Sequence, residues 1–279
     1  MRAREKRRVV LVLLPAFNEE QALPRLLQGV ERALGERGEA YRIIVCDDGS
    51  RDGTAVVLEE ASRRFPLEVI KHKINRGLGE SSRDLFERAA ETCEDRDVIV
   101  RLDCDDTHDP AYIPALIGKL SEGYDVVVAS RFEPGGGQVG VSRYRAAVSW
   151  LANLFMKVVF PVAGLREYSC GYRAYRGAVI RQAIGTFGNN FIQLKGLGFT
   201  CTLEKLVKLK LLGAGFGEVP FVLRYDRKQS QSKMVSSVTT LGYLVMAVMY
   251  HWPWGGWRAG WRRRRRDALR VAPDAPGSP

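Results

Sequence analysis

Short apolar runs alternate with amphipathic stretches through the first half of this sequence. Val9–Leu14 is an uninterrupted apolar run, typical of a strand covered on both faces. After it, apolar residues recur at helical spacing from Leu23 to Leu34. The same order repeats, with strands predicted at Tyr41–Cys46, Leu67–Lys71, Val98–Leu102 and Asp125–Ala129, and helices at Thr54–Arg64, Glu80 to about Cys93, and Ala111–Leu120. This alternation predicts an α/β fold with a mostly parallel central sheet and right-handed crossovers.

Polar residues directly follow three of the predicted strands. The three clusters are Asn18 with Glu19, Asp47 with Asp48, and Asp103 with Asp105. Open α/β sheets bind their ligands in the crevice at the carboxyl ends of the strands. Parallel strands all end at that edge, so the three clusters are predicted to converge on one site.

The most acidic cluster follows the predicted strand Val98–Leu102. Four carboxylates fall within seven residues, at Asp103, Asp105, Asp106 and Asp109. Side chains alternate along an extended segment, so Asp103 and Asp105 should point the same way and Cys104 back into the protein. Paired carboxylates at a strand end suit Mg²⁺ or Mn²⁺ together with substrate phosphate oxygens. The alternative is a solvated acidic turn.

The net charge, the cysteine spacing and the absence of two nucleotide-binding motifs limit the classes of function that the chain can have. A net charge of +11 favours an anionic partner, but much of the excess lies at Arg2–Arg8 and Arg258–Arg266, outside the part predicted to fold. The five cysteines show no regular spacing, which predicts neither a zinc site nor a disulfide framework and fits a reducing, cytosolic setting. Val9–Leu14 is too short for a signal peptide. The sequence contains no dinucleotide fingerprint after the first strand and no P-loop motif, which argues against those enzyme classes.

The pattern changes after Gly135–Gly137, which is predicted as a flexible loop. Val141–Gly164 combines basic and strongly apolar residues at helical spacing, and two interpretations stay open: a helix on a membrane interface, and a core helix packed across the site. Tyr168–Tyr175 is aromatic and basic, which suits either sugar or nucleotide contacts or an ordinary loop. Gly185–Gly198 is predicted as an irregular insert.

The C-terminal third ends in a basic loop and an apolar segment. Val219–Leu223 is predicted as a short edge strand because it contains a proline. Arg224–Lys233, with four cations in ten residues, is interpreted as a loop folding over a diphosphate or as a solvated basic loop. Val235–Trp254 is interrupted by serine and threonine and falls short of the roughly 20 apolar residues of a spanning helix. The tryptophans that follow lie beside Arg262–Arg266, which predicts a membrane interface with anionic lipid.

Eight short motifs occur in order along the chain: Pro15–Glu19, Asp47–Thr54, Asn75–Gly79, Asp103–Asp105 with His108–Pro110, Ser130–Phe132, Gly171–Tyr175, Glu218–Pro220, and Arg227 with Ser232 and Lys233. They resemble the motifs of family 2 glycosyltransferases, most closely the dolichol (polyprenol) phosphate mannose synthase branch. The resemblance implies a Rossmann-like GT-A fold over residues 9–234, after a basic segment at 1–8. Interfacial helices at 235–266 and a disordered tail at 267–279 would follow.

The resemblance also implies roles for individual residues. The nucleoside would be held by Pro15, Phe17, Glu19, Cys46 and Asp48. The diphosphate and the metal would be held by Asp103, Cys104 and Asp105, with a second metal contact at Thr107. The phosphates would be gripped by Arg131, Arg227 and Lys233. The chain departs from the family, which usually has Ala, Leu and Gly, at Cys104, Asp106 and Ser230.

The implied reaction is inverting transfer of a hexose, mannose from GDP-mannose in that branch, to a polyprenyl or dolichyl phosphate at the cytoplasmic face of a membrane. A metal held chiefly by Asp105 would neutralise charge on the leaving diphosphate, assisted by the three phosphate-gripping cations. A phosphate acceptor is already ionised and needs no base. A hydroxyl acceptor would need a carboxylate base, for which Asp106 and Glu204 are the candidates.

Two other functions stay open. The nearer is a family 2 transferase acting on a saccharide or natural-product hydroxyl. The more distant is a non-catalytic protein that binds membranes or nucleic acid through its basic ends. Because those ends lie outside the segment that carries the motifs, a nucleic-acid partner is not expected.

Overall fold

A seven-stranded sheet forms the centre of the computed structural model, which describes residues 7–228 and 236–251. In chain order the strands are β1 Val9–Ala16, β2 Ala40–Asp47, β3 Leu67–Lys71, β4 Val98–Arg101, β5 Val126–Ser130, β6 Gly137–Val139, β7 Arg173–Arg176, β8 Phe216–Pro220 and β9 Val222–Arg224. The spatial order in the large sheet is β3-β2-β1-β4-β7-β5-β8, and β6 pairs with β9 separately. The predicted segments 1–8, 235–266 and 267–279 therefore lie partly or wholly outside the described residues.

In the part of the chain that the structure describes, seven α-helices lie between strands and an eighth follows β9. Their bounds are α1 Leu23–Val30, α2 Thr54–Ser62, α3 Leu78–Thr92, α4 Ile113–Ser121, α5 Arg143–Val159, α6 Gly177–Phe187, α7 Thr200–Leu212 and α8 Ser236–His251. α1 contacts α2, whereas α3 contacts α6 and α7. Right-handed crossovers place α1 and α2 on one face of the sheet and α3 on the other. Within the described ranges, no helix combines the length and the apolar character needed to cross a bilayer.

The mostly parallel sheet predicted from the sequence is confirmed. The pairs β1 with β2, β1 with β4, β2 with β3, and β5 with β8 are all parallel. The apolar run in β1 is buried from Val10 to Leu14, as a strand covered on both faces requires. β8 lies at the edge of the sheet, where its terminal Pro220 removes no ladder hydrogen bond from a central strand.

Four local predictions were incomplete or wrong. Tyr168–Tyr175 is not all loop, because its end enters β7, which lies antiparallel between β4 and β5. The predicted Gly135–Gly137 loop ends in β6, and Val219–Leu223 is split between β8 and β9. The Gly185–Gly198 insert begins with the last turn of α6 and a 3₁₀ turn. β7 escaped prediction because it has four residues, three of them buried, and therefore shows no alternation.

The turn after β2 depends on the glycine at position 49. Gly49 has a φ of +71°, and an added Cβ would lie 2.5 Å from the main-chain carbon of Ile74. We expect Gly49→Ala to lower the free energy of unfolding by about 2–5 kcal/mol, from the left-handed backbone and the steric clash together. The measurement is urea denaturation followed by circular dichroism.

Gly38→Ala is the matched control for this variant. Gly38 has a similar φ of +70°, but an added Cβ there would meet nothing within 4 Å. Gly38→Ala should lower the free energy of unfolding by about 1–2 kcal/mol, the cost of the left-handed backbone conformation alone. Equal losses in the two variants would contradict a close approach of the turn to Ile74.

Candidate active site

The loops after β1, β2 and β4 meet at the carboxyl edge of the sheet, because β1 lies between the other two strands. Hydrogen bonds join the first two loops. Ser50 Oγ accepts the amide hydrogen of Asn18 at 2.9 Å, and Thr54 Oγ1 accepts that of Glu19 at 2.9 Å. Asn18 has a φ of 53°, a left-handed conformation that asparagine tolerates better than most residues. The loop after β1 is thus held against the start of α2.

Cys104 lies in the acidic loop that follows β4. It is buried, as its predicted inward direction requires. Burial raises the pKa of the Cys104 thiol, and the negative charges of Glu19, Asp103 and Asp105 raise it further. β1 and β4 pair in parallel, and the amide of Leu102 donates to the carbonyl of Leu13 at 3.3 Å, so the loops that follow these strands begin side by side. The polar clusters after β1 and β4 thus follow neighbouring parallel strands at the same edge of the sheet, and their use as one ligand site stays a prediction.

Asp48 organises the loop that leads into α3. Its carboxylate accepts the amide hydrogens of Arg76 at 2.9 Å and Gly77 at 2.8 Å. The same carboxylate lies 2.6 Å from Nδ1 of His72, whose Nε2 lies 2.8 Å from Asp84. Asp48 is buried and engaged on both oxygens, and its predicted nucleoside contact stays a prediction.

His72 was not predicted as a site residue, although its position in the sequence could have indicated it. It directly follows β3, so it lies at the same carboxyl edge as the three polar clusters. The ring is buried between two carboxylates, and Cys46 Sγ lies 3.6 Å from its Nε2. Burial raises the pKa of the Cys46 thiol to about 12. Cys46 pairs with Pro15 near the carboxyl ends of β1 and β2, and the predicted nucleoside contact of both residues stays a prediction.

Asp103 is held by residues on both sides of it. Its Oδ1 lies 2.6 Å from Nη2 of the buried Arg101, and its amide donates to Nδ1 of His108 at 3.0 Å. Burial lowers the pKa of His108, and a ring that accepts at Nδ1 carries its proton on Nε2. His108 stacks on Tyr172 with ring centroids 5.2 Å apart. This histidine therefore fixes the shape of the acidic loop.

Asp105 is the carboxylate of this loop that pairs with a lysine, Lys228. It accepts a hydrogen bond from Thr107 Oγ1 at 2.6 Å and pairs with the ammonium of Lys228. Burial alone would raise the pKa of Asp105, but Lys228 and Thr107 outweigh it, and the pKa lies below its ordinary value. Lys228 was not singled out by the sequence reading, since it is one of four cations in the Arg224–Lys233 segment.

The donor set suits a divalent cation that is completed by substrate oxygens. Within residues 7–228 and 236–251, no group of three or more His, Cys, Asp or Glu side chains gathers as a closed metal cage. Asp105 already stabilises a positive charge, the Lys228 ammonium, and Asp103 is two residues away. Mg²⁺ and Mn²⁺ are commonly held by one or two carboxylates plus phosphate oxygens, so the residues present fit such an ion.

The two predicted phosphate-gripping cations within the described residues, Arg131 and Arg227, each pair with a carboxylate of the protein. Arg131 forms a buried two-point ion pair with Glu167, at 2.7 Å from Nε to Oε2 and 3.0 Å from Nη2 to Oε1. Arg227 lies 3.1 Å from Asp109 through Nη1 and Oδ2, and Lys233 lies outside the described residues. No sequence signal indicated Glu167, which is 36 residues from Arg131. The structure thus turns Arg131 toward Glu167 and leaves Lys228 against Asp105.

Both candidate bases for a hydroxyl acceptor are engaged elsewhere. Asp106 has a φ of 63° and lies 3.1 Å from Nη1 of Arg25. Burial raises the pKa of Asp106. Glu204 pairs with Lys208 on the next turn of α7 and accepts the amide hydrogen of Gln193 at 3.0 Å. Phe17, the remaining predicted nucleoside contact, directly follows β1 and is half-buried.

Two helices beyond this edge leave apolar side chains exposed. α5 buries Asn153 and Met156. Its opposite face exposes large apolar side chains at Tyr144, Val148, Leu151, Leu154 and Val158. α8 likewise exposes Leu241, Leu244 and Val248. The helices meet at their C-terminal ends, where His251 Nε2 lies 3.0 Å from the carbonyl oxygen of Val159.

Comparisons with known proteins place this chain in a sequence family. The sequence profile described as Glycosyl transferase family 2 matches residues 11–183. An undecaprenyl-phosphate 4-deoxy-4-formamido-L-arabinose transferase of Pseudomonas aeruginosa is 34% identical over 202 residues, which cover 70% of this chain and 56% of that protein. A dolichol-phosphate mannosyltransferase of Pyrococcus furiosus is 30% identical over 81% of this chain and 59% of its own. The chain thus spans less than two thirds of the length of these two relatives.

A shorter relative and a solved structure extend the comparison. An undecaprenyl-phosphate mannosyltransferase of Micrococcus luteus is 29% identical over 82% of this chain and 88% of its own length. The crystal structure of glucosyl-3-phosphoglycerate synthase from Mycobacterium tuberculosis with Mn²⁺, UDP and glucosyl-3-phosphoglycerate has a TM-score of 0.58. The two sequences are 19% identical, and the matched region covers 91% of this chain and 80% of the synthase chain. At that identity the likeness shows a shared fold.

Proposed function

The chain belongs to glycosyl transferase family 2 and has the GT-A fold, and from that premise we propose that it transfers a hexose from a nucleotide diphosphate sugar to a polyprenyl phosphate. The observation that carries the proposal is that the loops after β1, β2 and β4 leave the sheet at one edge, where the partly buried carboxylate of Asp105 holds the positive charge of Lys228. The relatives named for undecaprenyl-phosphate and dolichol-phosphate transfer support the choice of acceptor.

Asp105 and Asp103 would hold Mg²⁺ or Mn²⁺ in this proposal, with Thr107 orienting Asp105 through its hydroxyl. Such an ion acts as a Lewis acid that stabilises negative charge on a departing diphosphate. The Mn²⁺ and UDP in the glucosyl-3-phosphoglycerate synthase structure support this choice. Pro15, Phe17, Glu19, Cys46 and Asp48 would surround the nucleoside, on the β1 and β2 side of the ion.

Cations of the segment after β9 would cover the diphosphate. Lys228 already lies on Asp105, and Arg227 pairs with Asp109 in the same loop. With Lys233 they would surround the phosphates once the donor binds. Arg131, paired with the buried Glu167, would act as a positioning residue that holds the wall of the site. Preorganised charges of this kind stabilise the charge that develops in the transition state.

A phosphate acceptor fits the residues better than a hydroxyl does. A phosphate oxygen is ionised at neutral pH and attacks C1 of the sugar without losing a proton first. The electron pair of the breaking bond leaves on the nucleoside diphosphate. Since Asp106 and Glu204 are both engaged by basic residues, neither is placed as a ready general base.

The exposed apolar faces of α5 and α8 would dock on the cytoplasmic face of a membrane that carries the lipid acceptor. Basic Arg143, Arg145 and Lys157 accompany the apolar residues of α5, as in helices that lie on anionic bilayers. α8 leads into the tryptophan-rich and arginine-rich residues beyond His251, which lie outside the described residues. Of the two interpretations of Val141–Gly164, exposure of its apolar residues favours the membrane interface.

We expect Leu151→Glu and Leu244→Glu each to weaken binding to vesicles of phosphatidylcholine and phosphatidylglycerol by about tenfold or more. Burying one leucine contributes about 1.5–3 kcal/mol, and a glutamate would also be repelled by anionic lipid. The measurement is cosedimentation with the vesicles. Val56→Glu is the control, because Val56 is 61% exposed on α2. Equal weakening in all three variants would contradict docking through α5 and α8.

The proposed function is tested by incubating the purified full chain with Mn²⁺, undecaprenyl or dolichyl phosphate, and a panel of radiolabelled UDP-sugars and GDP-sugars that includes GDP-mannose. We expect labelled sugar to enter the organic phase as a lipid phosphate. Transfer only to soluble saccharides would favour the family 2 hydroxyl transferase instead. Absence of transfer from every donor would overturn the proposed function.

A further inference from the structure

Three cations lie together beneath the acidic loop, and the reaction as proposed does not use them. Arg101 ends β4 and pairs directly across the sheet with Arg173 of β7. Lys205 of α7 approaches from below, with its ammonium 4.6 Å from the ring centroid of Phe86. All three side chains are at most 2% exposed. We call Arg101, Arg173 and Lys205 the buried cation cluster.

The cluster carries more positive charge than its neighbours balance. Within the described part of the chain it forms one ion pair, between Arg101 and Asp103 at 2.6 Å. The guanidinium of Arg173 donates to three main-chain carbonyls, which carry no net charge. Lys205 faces an aromatic ring. Like charges opposed across a sheet are destabilising, and buried cations without partners are costly. A bound anion would relieve both penalties.

Unsatisfied hydrogen-bond donors accompany this excess charge. Nε of Arg101 is buried without a hydrogen-bond partner among the described residues, and so is the hydroxyl of Tyr175. Tyr175 and Lys205 contact the same ring, Phe86. Burial is the main reason that the pKa of Lys205 falls to about 7, and the charges of Arg101 and Arg173 act in the same direction. Hydrogen-bond donors thus converge here in excess of the acceptor oxygens that the neighbouring residues supply.

The order of the strands indicates which part of a donor would reach the cluster. Across the sheet, β2 and β1 carry the predicted nucleoside contacts, β4 carries the predicted metal ligands, and β7 is the next strand. A nucleotide sugar laid over this edge places its base at β2 and β1, its diphosphate at β4 and its sugar toward β7. Gly171, just before β7, leaves room for the guanidinium of Arg101, because a Cβ added to this glycine would lie 2.0 Å from Nη1 of Arg101.

We propose that the transferred sugar carries a carboxylate, so that the donor is a nucleotide-linked uronic acid whose acidic group pairs with Arg101 and Lys205. This rests on the proposed function and names its substrate class. In the reaction, a phosphate oxygen of the acceptor bonds to C1 while the bond from C1 to the diphosphate breaks. The electron pair leaves on the nucleoside diphosphate. The sugar carboxylate is unchanged.

The test compares donors that differ only at C6: UDP-glucuronate with UDP-glucose, and GDP-mannuronate with GDP-mannose. Full chain, Mn²⁺ and undecaprenyl phosphate are used, and kcat/KM is measured for lipid-linked product. A site that pairs a charged group rejects the analogue lacking it, so we expect at least one uronate to be preferred by about 100-fold. A neutral sugar used equally well or better would overturn the proposal.

Lys205→Met keeps the length of the side chain and removes its charge. We expect it to lower kcat/KM for the uronate by about tenfold or more and to leave the neutral donor nearly unchanged. Lys210→Met is the matched control in the last turn of the same helix, where the side chain is half-buried and belongs to no part of the cluster, and circular dichroism checks that both variants fold. An equal loss with both donors would overturn the proposal. So would a raised KM for undecaprenyl phosphate without a change in donor preference, which would assign the cluster to the acceptor phosphate.

Calorimetric titration of the wild-type protein with each donor, without acceptor, separates this proposal from the proposed function. Tighter binding of a uronate than of its neutral partner would support the cluster as its site even if no lipid product formed. Equal binding would overturn the proposal even if neutral hexoses were transferred to lipid. Failure to form lipid product from any donor bears on the proposed function alone.

Discussion

Asp105→Asn is expected to lower Mn²⁺-dependent sugar transfer by about 10³-fold or more. Asp105 pairs with the ammonium of Lys228, and a hydrogen bond from Thr107 fixes the orientation of its carboxylate. The amide keeps the shape of the side chain but removes the negative charge that would bind the metal. Loss of one preorganised charge-stabilising group typically lowers turnover by about 10²–10³-fold, and loss of a metal removes more. The measurement is kcat with saturating donor over a range of Mn²⁺ concentrations.

Asp95→Asn makes the same chemical change just before β4, at the opposite edge of the sheet. Asp95 is exposed and pairs with Arg181, so transfer should stay within about twofold of wild type, as for other surface ion pairs. Near-normal activity of Asp105→Asn would contradict the metal assignment. Equal loss in both variants would indicate unfolding, which circular dichroism would reveal.

Arg131→Met is expected to lower the free energy of unfolding by about 3–5 kcal/mol, the usual penalty for leaving a buried charge unpaired. Glu167 is fully buried and receives Arg131 at two points. Burial alone would raise the pKa of Glu167, but the charge of Arg131 outweighs it, and the pKa lies below its ordinary value. Removing the guanidinium would strand the carboxylate. Urea denaturation followed by circular dichroism measures the loss.

Two further variants decide whether Arg131 supports the fold. Arg166→Met, at the neighbouring exposed pair with Glu133, should change stability by about 1 kcal/mol or less. Adding Glu167→Gln to Arg131→Met should recover part of the loss, because the stranded charge becomes neutral while an acceptor remains. A stable Arg131→Met protein whose defect is confined to donor KM would instead support the phosphate-gripping role that the sequence predicted.

The central strands were predictable because each is an apolar run long enough to stand out between loops. β1, β2 and β3 lie where the sequence placed them, within two residues at either end. The side-chain pairs that the sequence did not predict share one property: the two partners are far apart in the sequence. Glu167 is 36 residues from Arg131, and Lys228 is 123 residues from Asp105. Local periodicity carries no information about such pairs.

The sequence by itself determined the parallel sheet, its acidic edge and the family, because strand and helix periodicity and short ordered motifs are local properties of the chain. The tertiary structure alone decided which cation lies on Asp105, that Arg131 is directed to Glu167, and that the apolar residues of α5 are exposed. It also brought Arg101, Arg173 and Lys205 together from three separate elements. Burial and charge pairing act through space, so side chains from distant segments acquire their roles only when the sheet and its helices close around them.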